Sequence, residues 1–281
     1  MKRWLSFLVI ACMLFTQLDV TSLAASSSEY TADEETVSVP ETAEKAVQDS
    51  ESELPESEEE AVFIEDSGDS AAETPVLLEG PGNVCEVEGT EYATIAAALA
   101  AVTSGGTATI TMIADTEESI TIGDSKKITL NLAGFTVTGS ADQVVMIESG
   151  AQFTLTDTVG TGALDGNGTL RGVFNYDTFI MESGSIQNCG EAGVYNYNDK
   201  SFTMNGGSIK NCSSGTDLNV GGGVYNCGIF TMNGGSIENC SASYYGGGVY
   251  TNDGTFTMNG GSITGCSAGN AGGGVYYRST F

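Results

Sequence analysis

The string GGGVYNCGIFTMNGGSIENC, Gly221 to Cys240, has near-copies before and after it in the C-terminal third of the chain. Its Gly-Val-aromatic element stands at Val173, Val194, Val224, Val249 and Val275, in steps of 194−173=21, 224−194=30, 249−224=25 and 275−249=26. A fixed phrase with a period in the twenties marks a stacked architecture, one supersecondary unit per repeat, each touching only its neighbours. A leucine-rich repeat would show a Leu framework and a helical half, and neither is present. Each unit reads instead as two or three short strands with Gly-rich corners, one coil of a parallel β-helix. A single coil buries too little apolar surface to offset the entropy of ordering its residues, so it must be templated by the next. Stacking therefore selects for sameness.

Alternation assigns the faces within a coil. Phe202, Phe230 and Phe256 precede Met204, Met232 and Met258 by two, so each pair shares a face. Ile186, Ile209, Ile237 and Ile263 follow after a Gly corner. With rungs about 4.8 Å apart, the core is expected to hold Phe, Met, Ile and Val ladders. Asn175, Asn196 and Asn226 follow the Val-aromatic pair, where stacked amides can hydrogen-bond along a bend.

Upstream, EYATIAAALAAVTSGG carries Ile95, Leu99 and Val102 at helical spacing and ends on Ser104-Gly105-Gly106, a helix stop. The runs TATITMIA, ESITIG, KKITLNLAGFTV, QVVMIE and QFTLTD that follow alternate with period two. Residues 84–281 are thus expected to form one all-β, right-handed parallel β-helix with a short N-terminal capping helix.

The ends obey other rules. Residues 1–25 have the three parts of a cleaved secretory signal: Lys2 and Arg3, the apolar run Trp4 to Phe15, and Ser22-Leu23-Ala24 as a small-x-small site. The apolar run is too short to span about 30 Å of hydrocarbon. Ser26 stands where a lipoprotein signal needs cysteine. The protein is expected to be secreted, with cell-surface attachment a further possibility and no membrane insertion after cleavage. Residues 26–83 mix Glu, Asp and Ser, with Lys45 the one base, and are expected to be a disordered acidic linker or spacer. The net charge of −28 argues against nucleic-acid partners, whose phosphates are held by clustered Lys and Arg.

The phrase GVYNCGIFTMNGGSIENC, with KKITLNLAGFTVTG and GTGALDGNG before it, resembles the pectin-lyase-like right-handed β-helix repeats of secreted proteins, and most of all adhesin-like surface proteins of Gram-positive gut bacteria. The resemblance covers Val84 to Phe281 and rests on core and corner residues. It implies an N-terminal helix that caps the first coil, matched by Tyr92 to Val102.

That superfold includes polysaccharide lyases and hydrolases. The chain has no histidine, which removes a Ser-His relay and His-ligated zinc. Calcium-assisted lyase chemistry would gather carboxylates beside Arg or Lys. Asp157, Asp165, Asp177 and Glu182, with Arg171 and Lys200, do not recur at a spacing that does so. Asp165-Gly-Asn-Gly168 resembles the Gly-Asp-Gly turn of glycoside-hydrolysing β-helices but reads as a corner turn. The calcium nonapeptide and the EF-hand loop are both absent. No catalytic residue, metal site or cofactor is assigned.

Cys12 leaves with the signal, and Cys85, Cys189, Cys212, Cys227, Cys240 and Cys266 remain. An even count in an exported chain allows three disulfides. Cys189, Cys212, Cys240 and Cys266, however, all end the S-I-x-N/G-C phrase and should stack at a spacing wider than a disulfide's Cβ pair. A buried thiol ladder is favoured, disulfides are the alternative, and reactive or metal-binding roles come third.

If Val points in, Phe174, Tyr195, Tyr225, Tyr250 and Tyr276 point out and form an aromatic ladder. With Tyr244 and Tyr245 from a variable loop, Tyr195, Tyr225, Tyr250 and Tyr276 make the candidate ligand-binding surface, for host or cell-wall glycans or surface proteins. The chain stops at GGGVYYRSTF as another coil begins, so it is expected to be C-terminally incomplete, with an open rung that invites end-to-end self-association. The expected function is non-catalytic adhesion or binding. A polysaccharide-degrading enzyme and a purely structural stalk are the alternatives.

Overall fold

The computed structural model describes residues 82–215 and 221–278. The signal segment and nearly all of the acidic segment lie outside the described residues. Within them the chain is a right-handed parallel β-solenoid of about six turns. Three long sheets run along it, and each coil contributes one strand to each.

The first sheet carries the Phe and Met ladders. Its parallel strands run from Thr107–Met112 through Lys127–Asn131, Gln152–Thr156, Thr178–Met181, Ser201–Met204 and Ile229–Met232 to Thr255–Met258. Pairing is in register, with Phe153, Phe179, Phe202, Phe230 and Phe256 on successive rungs. Their rings stack nearly parallel, with centroids 5.5, 4.8, 4.5 and 4.9 Å apart. The second sheet stacks Val137, Leu164, Ile186, Ile209, Ile237 and Ile263. The third stacks Val145, Val173, Val194, Val224, Val249 and Val275. Val173, Val194, Val224 and Val249 are fully buried, so Val is the inward residue of the Gly-Val-aromatic element.

The corners explain the rest of the phrase. Asn188, Asn211, Asn239 and Gly265 precede the ladder cysteines with φ of 53°, 54°, 52° and 64°. This left-handed conformation is open to Gly and tolerable to Asn, which accounts for N/G as the only letters used there. At Gly223 a Cβ would lie 2.5 Å from the Gly248 carbonyl oxygen. The glycine triplets therefore let adjacent coils approach closely.

The unequal steps arise mainly in the connection from the Ile sheet to the Val sheet, with smaller differences at the bend from the Val sheet to the Phe sheet. These connections also stack: Ser241–Ala242 pairs with Ser267–Ala268, and isolated bridges join Ser213 to Ser241 and Tyr245 to Ala271.

The N-terminal cap is more than the expected helix. The α-helix Ile95–Ala101 buries Ile95, Ala98 and Leu99 over the first coil. Thr94 Oγ1 accepts the Ala97 amide at 3.0 Å, and the Glu118 carboxylate accepts the amides of Ile95 and Ala96, both at 2.8 Å. This places a negative charge on the helix N-terminus. Beside it, Cys85–Val87 and Thr90–Tyr92 form an antiparallel hairpin whose first strand also pairs antiparallel with the Thr107–Met112 strand. The hairpin covers an edge that would otherwise be unpaired. On the last described rung Met258 and Val275 are 44% and 42% exposed.

Candidate functional site

The outer face of the Val sheet carries aromatic residues because side chains alternate across a strand. Val173, Val194, Val224, Val249 and Val275 point in, and Phe174, Tyr195, Tyr225, Tyr250 and Tyr276 align behind them in parallel register. Ring centroids step along the ladder by 4.6, 4.7, 5.4 and 5.5 Å.

The expectation of a uniformly open face needs correction at its middle rungs. Tyr225 is 6% exposed and Tyr250 is fully buried, so neither ring offers a surface to a ligand. Gly221 and Gly246 press on Tyr250, where a Cβ on either would come within 3.0 Å of that side chain, and the Tyr245 ring lies 6.3 Å away. Arg278 is the charged group beside the Tyr250 hydroxyl, which has no well-formed hydrogen bond. The other ladder residues are half-buried.

The accessible rings gather in two clusters. In the first, Phe174 and Tyr195 are joined by Tyr176 and Tyr197, each two residues further on. Centroid distances are 4.7 Å for Phe174–Tyr176, 4.8 Å for Tyr176–Tyr197 and 6.5 Å for Tyr195–Tyr197, which closes a four-ring quadrilateral. Tyr197 is 40% exposed. Arg171 lies 5.5 Å over the Phe174 ring and is ion-paired with Glu191. Tyr176 and Tyr197 were missed in the reading of the ladder, although the spelling V-F-N-Y and V-Y-N-Y places them two residues on, where period-two alternation returns to the same face. In the second cluster Tyr245 stacks on Tyr276 at 4.4 Å, with Tyr244 6.3 Å from Tyr245 and 42% exposed. Asn270 Nδ2 donates to the Tyr245 hydroxyl at 2.8 Å, and Asn252 Nδ2 to that of Tyr225 at 3.1 Å.

Burial raises three of the phenols above their ordinary value. It pushes Tyr195 up to about 12, with Cys227 adding to the shift, and raises Tyr225 and Tyr176 as well. These hydroxyls are donors and ring substituents near neutral pH rather than bases.

The acids singled out for chemistry hold corners. Asp157 accepts backbone amides from Gly134, Gly162 and Val159 at 2.8, 2.7 and 3.2 Å. Asp165 accepts from the Asn167 amide, Gln187 Nε2 and Asn188 Nδ2 at 2.8, 2.9 and 2.8 Å. Asp177 accepts the Gly150 amide at 2.8 Å, and Glu182 accepts Asn205 Nδ2 at 3.0 Å. A shallow polar groove of about 590 Å³, lined by Thr138, Asp165, Asn167, Asn188, Asn211 and Ser213, overlies the Asp165 corner. Among the described residues no group of three or more Cys, Asp and Glu is placed to hold a metal ion.

The six cysteines among the described residues are free thiols. In the ladder each Sγ donates to the carbonyl two residues back, at 3.3 Å for Cys189, Cys212 and Cys240 and 3.4 Å for Cys266. The ladder is a packed inner column that takes no part in the aromatic face.

Neither a family model nor a curated protein nor a solved structure matches the chain.

Proposed function

We propose that this is an extracellular, adhesin-like binding module of the pectin-lyase-like β-helix kind, and that its aromatic face contacts glycans. The observation that carries the reading is the four-ring cluster of Phe174, Tyr176, Tyr195 and Tyr197, open to solvent through Tyr197. Rings on a rigid scaffold present flat apolar area at little entropic cost, with hydroxyls at the rim to accept or donate. The faces of pyranose rings are apolar and their edges polar, which matches that surface. The corner roles of Asp157, Asp165, Asp177 and Glu182 support binding over bond cleavage. The signal-like N-terminus and acidic segment suit display outside the cell.

Affinity electrophoresis through gels cast with neutral polysaccharides tests this. Retardation by at least one polysaccharide, clearly weakened in Tyr197→Ala, is the expected result. Release of reducing ends from the same polymers would replace the reading with the enzymatic one. No retardation by any glycan would favour a protein partner or a stalk.

A further inference from the structure

We infer that the aromatic face engages a single neutral glycan chain at two separated places, the Phe174–Tyr176–Tyr195–Tyr197 cluster and the Tyr244–Tyr245–Tyr276 cluster, and so selects for chain length. This rests on the glycan reading above and extends it to a ligand class.

Tyr195 and Tyr276 lie on the outer face of one sheet, whose parallel in-register pairing fixes the separation of the two clusters, and Tyr244 and Tyr245 join the second from the adjoining connection. Between them the ladder is closed, because Tyr225 and Tyr250 are buried. From the Tyr195 rung to the Tyr250 rung is two steps and to the Tyr276 rung three, which is roughly 10–14 Å at about 4.8 Å per rung. A disaccharide seated on one cluster does not cross that gap, whereas a chain several sugars longer reaches the other. Each cluster offers few rings and weak binding alone. A chain that occupies both makes the second contact intramolecular and gains its effective concentration. The ladder between them is the spacer that holds the two clusters at a constant distance. Asn270 fixes the Tyr245 hydroxyl, so the second cluster is preorganised.

Charge sets the class. Residues 84–281 hold 18 Asp and Glu against 6 Lys and Arg, an excess of negative charge that repels polymers of uronic or other acidic sugars. The guanidinium at the first cluster, Arg171, is already paired with Glu191. Arg278, near the second, is offset by Asp253. Neither cluster is arranged to receive a carboxylate, and a neutral sugar needs none.

The test is calorimetry on the full chain with neutral gluco-, manno- and xylo-oligosaccharides from di- to octasaccharide, and polygalacturonate as the charged comparison. Affinity for at least one series should rise by at least about tenfold between tri- and hexasaccharide, the modest end of what linked sites give. Tyr197→Ala and Tyr244→Ala should each remove that rise and leave weak binding of short chains at the intact cluster. Both side chains are at least 40% exposed, so the variants should keep the wild-type β-sheet circular dichroism. Binding that does not depend on length, or depends on one cluster alone, would overturn the two-place inference and leave the glycan reading standing. Preference for polygalacturonate would overturn the neutral class. Binding of no glycan at all would remove the reading on which the inference rests.

Discussion

The side-chain amide of Asn175 donates to that of Asn196 at 2.7 Å, and both residues are completely buried. Asn196 in turn donates to Asn226 at 2.8 Å, and the three amides also donate to the carbonyls of Ser201, Lys200 and Thr255 at 2.9, 3.0 and 3.0 Å. This column runs along the bend between the Val sheet and the Phe sheet, on the rungs of Phe174, Tyr195 and Tyr225. A buried polar chain stabilises only when every member is satisfied.

Asn196→Leu should therefore cost more than loss of one hydrogen bond. It removes at once the hydrogen bond accepted from Asn175 and those donated to the Lys200 carbonyl and to Asn226, although the Lys200 carbonyl keeps the Ile229 amide and Asn175 keeps the Ser201 carbonyl. A buried hydrogen bond is worth about 0.5–1.5 kcal/mol net, so the loss of these bonds is expected to cost roughly 2–4 kcal/mol. Urea unfolding followed by circular dichroism measures it. A loss within about 0.5 kcal/mol, the range of inert surface changes, would mean that the ladder carries no stability.

Much of this was legible because the repeat spells its own constraints. The Phe, Ile and Val columns follow from letters that return every coil, and the direction of Val173 and Val194 follows from period-two alternation. The alternation of Asn and Gly before each ladder cysteine is the trace of a left-handed corner. Three features were not read. The Cys85–Tyr92 hairpin is antiparallel and occurs once, so no repeat announces it. The closing of the face over Tyr225 and Tyr250 depends on connections of unequal length, whose packing has no periodic signature. Tyr176 and Tyr197 lie past their strands' last residues, Asn175 and Asn196, where alternation is ordinarily no longer applied.

The thiol column should be chemically quiet. Cys189, Cys212 and Cys240 are at most 2% exposed. The neighbouring Cys212 thiol is the largest influence that pushes Cys240 up to about 12, and burial adds to it. Cys85 is pushed up to about 11 by burial, reinforced by Glu118. Thiolate is the reactive form, so iodoacetamide at pH 8 should label the native protein at half-buried Cys227 well before Cys212 and Cys240. Cys266, equally half-buried, should lag behind Cys227 because the neighbouring Cys240 thiol pushes it well up. Labelling of all six should become uniform in denaturant. Peptide mass spectrometry reads the order. Resistance of ladder cysteines to labelling even in denaturant, reversed by reductant, would mean that disulfides had formed between rungs.

Asp157 supplies a pH dependence whose direction can be worked out. Burial opposes its charge, but the amides of Gly162, Gly160, Gly134 and Val159 outweigh it and hold the carboxyl below the ordinary aspartate range. A folded pKa lower than the unfolded value of about 3.9 means that the charged form stabilises the fold above that pH. The contribution is lost as pH falls through the folded value, where protonation releases the corner. Hydrogen bonds to a charged group are worth about 1.5–3 kcal/mol, so Asp157→Asn should lose about that much at pH 7. Its deficit should shrink steadily between pH 4 and pH 2, because the wild type forfeits in acid what the variant never had. Paired urea titrations at pH 7, 5 and 3 measure the two curves. A deficit that stays constant across that range would show that shape and hydrogen-bond count, rather than the carboxylate's charge, hold the corner between the Phe and Ile sheets.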